Sequence, residues 1–149
     1  LAPELRRWNN VAGAVQYCRE HGVPADKLVL GVPFYGRGFK VTGDAPDGLY
    51  QPYSAPADAG DWRVIKARYL DQPGWVKHWQ PQAQSPWLYN AVQKIFISYE
   101  DPRSIGLRAR FAREQGLAGV FMWELTGDDE QASLLNAMLG PWQKARIGD

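Results

Sequence analysis

The sequence is poor in the residues that build disulfide frameworks and metal sites. It has one cysteine, Cys18, so no disulfide can form within the chain. Its two histidines, His21 and His78, are far apart, and no Cys, His and carboxylate cluster has the spacing of metal ligands. No serine stands in a G-x-S-x-G elbow, and Cys18 falls inside a predicted helix, so a nucleophilic triad is not indicated. We expect neither a metal nor a cofactor.

The sequence also lacks a charge excess and a long apolar run. Seventeen basic and sixteen acidic residues leave a formal charge of +1, without the basic stripe that would neutralise several phosphates. No apolar stretch reaches the roughly 18 residues of a membrane span. Apolar residues make up 45% and charged residues 22%, as in ordinary globular domains. We therefore expect a folded protein that binds neither nucleic acid nor a membrane.

Aromatic residues are abundant instead. The chain has seven tryptophans and seven tyrosines, many of them flanked by polar residues. Such rings fill hydrophobic cores, but they also present a flat apolar face with a polar edge, on which a sugar can stack. Composition alone leaves both interpretations open.

Helices and apolar strands alternate at both ends of the chain. Helical spacing over residues 10–21 precedes a short apolar run at 27–34, and a second helix begins at Asp101 and Pro102 and ends near Gly116. The run from Gly119 to Leu125 is the second buried strand, and another short helix follows it. This order predicts an α/β protein with a parallel sheet, either a closed barrel or a doubly wound sheet.

The middle of the chain has a different character. Pro, Gly, Asp and aromatic residues are spread through short alternating segments between about Lys40 and Ser98, which predicts an inserted α+β subdomain with an antiparallel meander. We therefore divide the chain into residues 1–39 and 99–149, which carry the strands and helices of the parallel sheet, and the insertion at 40–98.

The polar and aromatic residues that could bind a ligand come where the two buried strands end. Tyr35 and Arg37 follow the first strand, and Trp123 closes the second. Because loops gather at the C-terminal edge of a parallel sheet, ligands bind there. A hydroxyl, a guanidinium and an indole suit a sugar ring that carries hydroxyl or amide groups.

Three segments at these positions resemble glycoside hydrolase family 18, the retaining chitinases built on a (β/α)8 TIM barrel. LVLGVPFYGRGF (28–39) is similar to the seventh barrel strand of that family, and GLAGVFMWE (116–124) is similar to the eighth. SPWLYN followed by ISYEDPRSI resembles the second half of the chitinase insertion domain and the start of the seventh helix. The resemblance implies the last two strands and helices of a partial barrel with an inserted α+β domain.

The resemblance also implies binding residues and a substrate. Trp123 would form the floor beneath the sugar next to the cleaved bond, Tyr35 and Arg37 would contact the sugar chain, and Met122 would lie beside the floor. The partner would be chitin or N-acetylglucosamine oligosaccharides, and the full-length protein would be secreted. Two departures stand out: SAPADAGD (54–61) lacks the glutamate often found there, and Trp62 replaces a tyrosine.

The catalytic acid of the family is missing from this sequence. Family 18 cleavage uses a carboxylic acid from a D-x-x-D-x-D-x-E run and the acetamido oxygen of the substrate, and no such run occurs here. The chain therefore resembles a C-terminal portion that supplies sugar contacts but no catalytic residue, and we expect it to be inactive alone. A chitin-binding lectin and a purely structural module remain alternatives. Unpaired barrel strands would also favour self-association.

Overall fold

The computed structural model describes residues 9–143 of the 149-residue chain. The helices are α1 Val11–Glu20, α2 Trp62–Arg68, α3 Pro102–Glu114 and α4 Ser133–Gln143, and the strands are β1 Val29–Pro33, β2 Arg37–Val41, β3 Tyr53–Ala57, β4 Val76–Gln80, β5 Ser85–Asn90, β6 Ile95–Ser98 and β7 Gly119–Trp123. Short 3-10 turns cover Ala25–Lys27 and Leu125–Gly127. The predicted alternation of helices and strands at both ends is confirmed.

The two apolar runs pair as parallel strands. β1 and β7 form a two-stranded sheet in which Val29 faces Gly119 and Pro33 faces Trp123. One face of this sheet packs on helices, since Val32 is buried and Leu30 and Val120 contact the hydrophobic core. On the other face Val29 and Phe121 are about half exposed. The sheet is thus a segment of barrel wall that helices cover on its outer face. Its inner face is open among the described residues.

The insertion is a five-stranded antiparallel sheet with the strand order β3-β2-β6-β5-β4. β4, β5 and β6 form the predicted meander, and β2 continues the sheet beyond β6. β2 begins at Arg37 and runs to Val41, so the predicted start of the insertion at residue 40 falls inside this strand. The parallel and antiparallel sheets are therefore joined by only three residues, 34–36.

Helix α3 begins where its sequence indicates. The Asp101 carboxylate accepts a hydrogen bond from the Ser104 backbone N–H, and the Ser104 hydroxyl accepts one from the Asp101 backbone N–H, both at 2.9 Å. Pro102 occupies the first turn, where its missing N–H costs nothing. This reciprocal cap fixes the helix that packs on β1, β7 and α4.

One large core joins the barrel segment to the insertion. Its buried residues come from β1, α2, β5, β6, α3, α4 and the segments next to them, and they are Val32, Phe34, Ala59, Trp62, Ile65, Leu88, Ile97, Tyr99, Ile105, Ala109, Leu134 and Met138. The two parts are therefore packed as one body and are not linked only by their chain connections. Among the described residues no helix combines the length and apolarity required to cross a membrane.

Candidate functional site

The site is built where β1 and β7 end side by side. Just past the strand ends the Phe34 N–H donates to the Trp123 carbonyl oxygen at 2.8 Å. This bond extends the parallel ladder by one step and sets Trp123 next to the segment that carries Tyr35 and Arg37. The predicted gathering of the two strand ends at one edge is confirmed.

Trp123 presents its indole to solvent. The residue is 68% exposed although it ends a strand that the core covers on its other face. Phe121, two residues earlier on the same face, is 51% exposed and packs over Gly31, where an added Cβ would lie 2.9 Å from the phenyl ring. A large apolar side chain that stays open at a strand end suits a ligand with an apolar face.

Tyr35 and Arg37 lie beside each other at the junction of the two sheets. Tyr35 is half-buried and forms an isolated antiparallel bridge with Asp61. Arg37 is exposed, pairs with Ser98 in the antiparallel sheet, and holds its guanidinium carbon 5.6 Å from the centre of the Tyr35 ring. This cation–π distance places a hydroxyl and a set of guanidinium donors on one small surface.

Met122 lies on the opposite face of β7 from Trp123. It is half-buried and packs against the large core together with Val120, whereas Phe121 and Trp123 are exposed. Successive side chains of a strand point to opposite faces, which explains the placement. The structure therefore brings Trp123 next to the Tyr35 segment, whereas Met122 lies on the other face of β7. Phe121 shares the face of Trp123 but lies two residues before the strand end.

The loop after β7 is held by a buried carboxylate. Asp129 accepts hydrogen bonds from Trp62 Nε1 at 3.1 Å, from Lys66 Nζ at 2.7 Å, and from the Ser133 N–H and hydroxyl at 2.9 and 2.7 Å. Burial raises the pKa of Asp129, but the bonds from Lys66, Ser133 and Trp62 together outweigh burial and hold its pKa well below the ordinary value. The group is therefore a fixed anion.

Asp128 and Asp129 also cap the last helix. The Asp128 carboxylate accepts from the Leu134 and Leu135 backbone N–H groups, and Asp129 accepts from Ser133. Both carboxylates thus satisfy donors in the first turn of α4, where the helix dipole favours negative charge. They are structural groups and not acids aimed at a substrate.

The remaining carboxylates near the site have their own partners. Glu124 is exposed, and its carboxylate accepts a hydrogen bond from the Thr126 hydroxyl. It follows the last residue of β7 through a cis peptide bond, so the alternation of side chains along the strand does not extend to it. The Asp61 carboxylate caps α2 by accepting from the Val64 N–H at 2.9 Å. Burial raises the pKa of Glu100, but that carboxylate pairs with Arg108 at 2.7 Å beside the start of α3.

Three further tryptophans, Trp75, Trp79 and Trp87, make packing contacts with neighbouring rings or a guanidinium. Trp87 is buried and stacks on His78 with ring centres 4.9 Å apart, and Trp75 packs against Tyr69. The Arg103 guanidinium lies 3.8 Å from the centre of the Trp79 ring. Within residues 9–143 no group of three or more His, Cys, Asp or Glu side chains could hold a metal ion.

A parallel barrel segment with an exposed indole at its strand end, and with an α+β sheet inserted after the neighbouring strand, is the architecture of a partial TIM barrel with an insertion domain. Comparison with known proteins agrees. The pattern of glycosyl hydrolases family 18 matches residues 4–128. This chain therefore belongs to glycosyl hydrolase family 18, and the partial-barrel fold with its insertion is confirmed by structures of the same family.

Several relatives of this chain are chitinases, and they are longer than this chain. Chitinase A1 of Niallia circulans is 41% identical over 133 residues, which cover 85% of this chain and 19% of that protein. Chitinase B of Serratia marcescens is 31% identical over 150 residues, covering 85% and 30%. A Bacillus thuringiensis chitinase structure superposes with a TM-score of 0.83 at 33% identity and covers 93% of this chain and 27% of that one. The chain spans less than a third of each of these relatives.

Proposed function

We propose that this chain forms one side of the substrate cleft of a family 18 chitinase, which hydrolyses β-1,4-linked N-acetylglucosamine polymers by the retaining, substrate-assisted route. The observation that supports this proposal is the exposed Trp123 indole at the end of β7, beside the segment that carries Tyr35 and Arg37. The family membership and the chitinase relatives support the choice of polymer. A polymer outside the cell fits a secreted protein.

The three side chains offer complementary chemistry to an N-acetylglucosamine unit. The indole face covers the apolar face of the sugar ring, as aromatic rings do in sugar sites. The Tyr35 hydroxyl can donate to or accept from a ring hydroxyl, and the Arg37 guanidinium donates to an acetamido carbonyl or a hydroxyl. Met122 is left out of this set because it packs behind the strand.

The proposal assigns no catalytic acid to this chain. The substrate-assisted mechanism needs one carboxylic acid near the glycosidic oxygen, while the acetamido oxygen attacks the anomeric carbon. Asp61, Asp128 and Asp129 cap helices, and Glu100 pairs with Arg108, so these carboxylates serve the fold. The chain alone should therefore bind sugar without cleaving it.

Calorimetric titration of the chain with an N-acetylglucosamine hexamer tests the proposal, with a glucose hexamer of the same linkage as the matched control and a chromogenic chitobioside assay in the same samples. We expect binding of the acetamido sugar alone, without turnover. Turnover would place an acid in this chain and overturn the assignment. If neither this chain nor the full-length gene product binds the hexamer, the sugar site is refuted. Binding without hydrolysis by the full-length product would instead identify a chitin-binding lectin.

A further inference from the structure

Three hydrogen bonds and the loop that follows β7 together form a closed ring that includes the backbone of Trp123. The Phe34 N–H donates to the Trp123 carbonyl, and the Phe34 carbonyl accepts from the Trp62 N–H, both at 2.8 Å. The Trp62 indole N–H then reaches Asp129 at 3.1 Å, and Asp129 lies six residues after Trp123 along the chain. The ring therefore returns to its starting residue through the loop that follows β7.

The loop inside this ring has little room to move. An added Cβ at Gly127 would lie 2.9 Å from the Phe34 carbonyl oxygen and 3.0 Å from the Asp61 Cβ, so the loop touches both β1 and the start of α2. The Gly36 N–H donates to the Gly60 carbonyl at 2.9 Å on the other side of the bridge between Tyr35 and Asp61. Trp123 is thus bonded to Phe34 and Tyr35 is bridged to Asp61, so both residues are attached to the segment that links β1 to β2.

The two side chains that belong to the ring, Trp62 and Asp129, are buried and hydrogen-bonded to each other. Trp62 is 5% and Asp129 is 9% exposed, and the Trp62 ring stacks on Tyr99 with an angle of 11° between the rings. Lys66 reaches the same Asp129 oxygen at 2.7 Å from the outer edge of α2, one turn after Trp62. Two donors of α2 in the insertion therefore anchor one carboxylate of the barrel segment.

We propose that Trp62, Lys66 and Asp129 act as positioning residues that hold Trp123 beside the segment carrying Tyr35 in the geometry that binds sugar. This inference rests on the proposed function, because it concerns the same site. None of the three is assigned contact with the substrate. Their effect on binding is exerted through the Leu125–Gly127 turn on one side and through the Phe34 backbone on the other.

The chain contains a matched control for the clamp that Trp62, Lys66 and Asp129 form. Lys77 binds the Asp101 carboxylate at 2.7 Å, with side-chain exposures of 49% and 5%, whereas Lys66 and Asp129 have 47% and 6% at the same distance. Each aspartate also caps a helix. Lys66→Met and Lys77→Met therefore remove the same chemistry at the same burial, and only Lys66 belongs to the ring behind Trp123.

The first experiment measures the hexamer association constant of both variants in the full-length gene product, well below their unfolding temperatures. We expect Lys66→Met to bind roughly tenfold more weakly, since small misplacements of a site group are costly, and Lys77→Met to bind as the parent does. A ¹⁹F spectrum of the 5-fluorotryptophan protein, with the Trp123 signal assigned by Trp123→Phe, should shift for Lys66→Met only. Equal behaviour of the two variants in both measurements would overturn the proposal.

The second experiment is a double-mutant cycle between Trp62→Phe and Trp123→Ala. Trp62→Phe keeps an aromatic ring beside Tyr99 but removes the five-membered ring of the indole, and with it the N–H that donates to Asp129 and Ser133. If the clamp acts through Trp123, the loss from Trp62→Phe should vanish in the Trp123→Ala background. Additive losses would refute it. If Trp123→Ala alone leaves binding unchanged, the proposed function fails; if it weakens binding while the clamp variants do not, only the positioning role fails.

Discussion

With the variant Trp123→Ala, the contributions of the indole to sugar binding and to folding can be measured separately. An indole side chain can bury about 200 Å², and Trp123 is 68% exposed, so about a third of that area contributes to the fold. At about 25 cal/mol per Å² the substitution should cost at most about 1.7 kcal/mol of folding free energy. One sugar ring that covers half of the exposed area would contribute about 1.7 kcal/mol to binding, which corresponds to a roughly fifteen- to twentyfold change in affinity.

Calorimetry with the N-acetylglucosamine hexamer and urea unfolding of the same samples would measure the two effects. Phe121→Ala is the matched control, because Phe121 lies on the same strand and face and is 51% exposed, but it stands two residues before the strand end. We expect Trp123→Ala to weaken binding about fifteen- to twentyfold and Phe121→Ala to leave it unchanged. Equal losses of affinity in the two variants would show that the sugar contacts the whole apolar face of β7 and not Trp123 in particular. Unchanged binding in Trp123→Ala would refute the indole floor.

Three further predictions follow from the packing and charges. Because the folded pKa of Asp129 lies below its unfolded value of 3.8, the chain should lose stability as the pH falls below about 4, and Asp129→Asn should flatten this dependence in pH-dependent urea unfolding. Gly38→Ala should destabilise by about 1–3 kcal/mol, because its Cβ would lie 2.5 Å from the Ala57 carbonyl oxygen, whereas Gly119→Ala, with nothing within 4 Å, should not. Sedimentation velocity should show concentration-dependent association through the open edges of β1 and β7; a monodisperse monomer would contradict it.

The regular elements could be predicted because their signals are local. The run from Gly119 to Trp123 is apolar throughout, and Asp101 with Pro102 marks a helix start by cap chemistry alone. The strand-end position of Trp123 follows from the same pattern. The alternation of side chains along β7 also predicts where Met122 lies. Residues 121 and 123 must share one face of the strand, and residue 122 must lie on the other face. The role assigned to Met122 came from the family resemblance and not from strand geometry.

The buried clamp could not be read from the sequence. Trp62 and Asp129 are 67 residues apart, and nothing in local composition shows that the indole N–H of one meets the carboxylate of the other. Asp129 caps α4 through a local bond from Ser133, but its bond from Lys66 depends on where α2 packs. Side-chain contacts between distant elements are set by the whole core, which a single sequence does not specify residue by residue.

The short connection between the two sheets explains why the site and the insertion are inseparable. Only residues 34–36 separate β1 from β2, so Tyr35 and Arg37 are placed by both sheets at once. An added Cβ at Gly36 would meet Ile65 at 2.7 Å and the Ser98 carbonyl oxygen at 3.0 Å, which means that α2 and β6 close directly onto this segment. Any rotation of the insertion would therefore move the Tyr35–Arg37 pair relative to Trp123. The insertion is part of the site's framework, and its packing on the barrel segment sets the spacing that a sugar would meet.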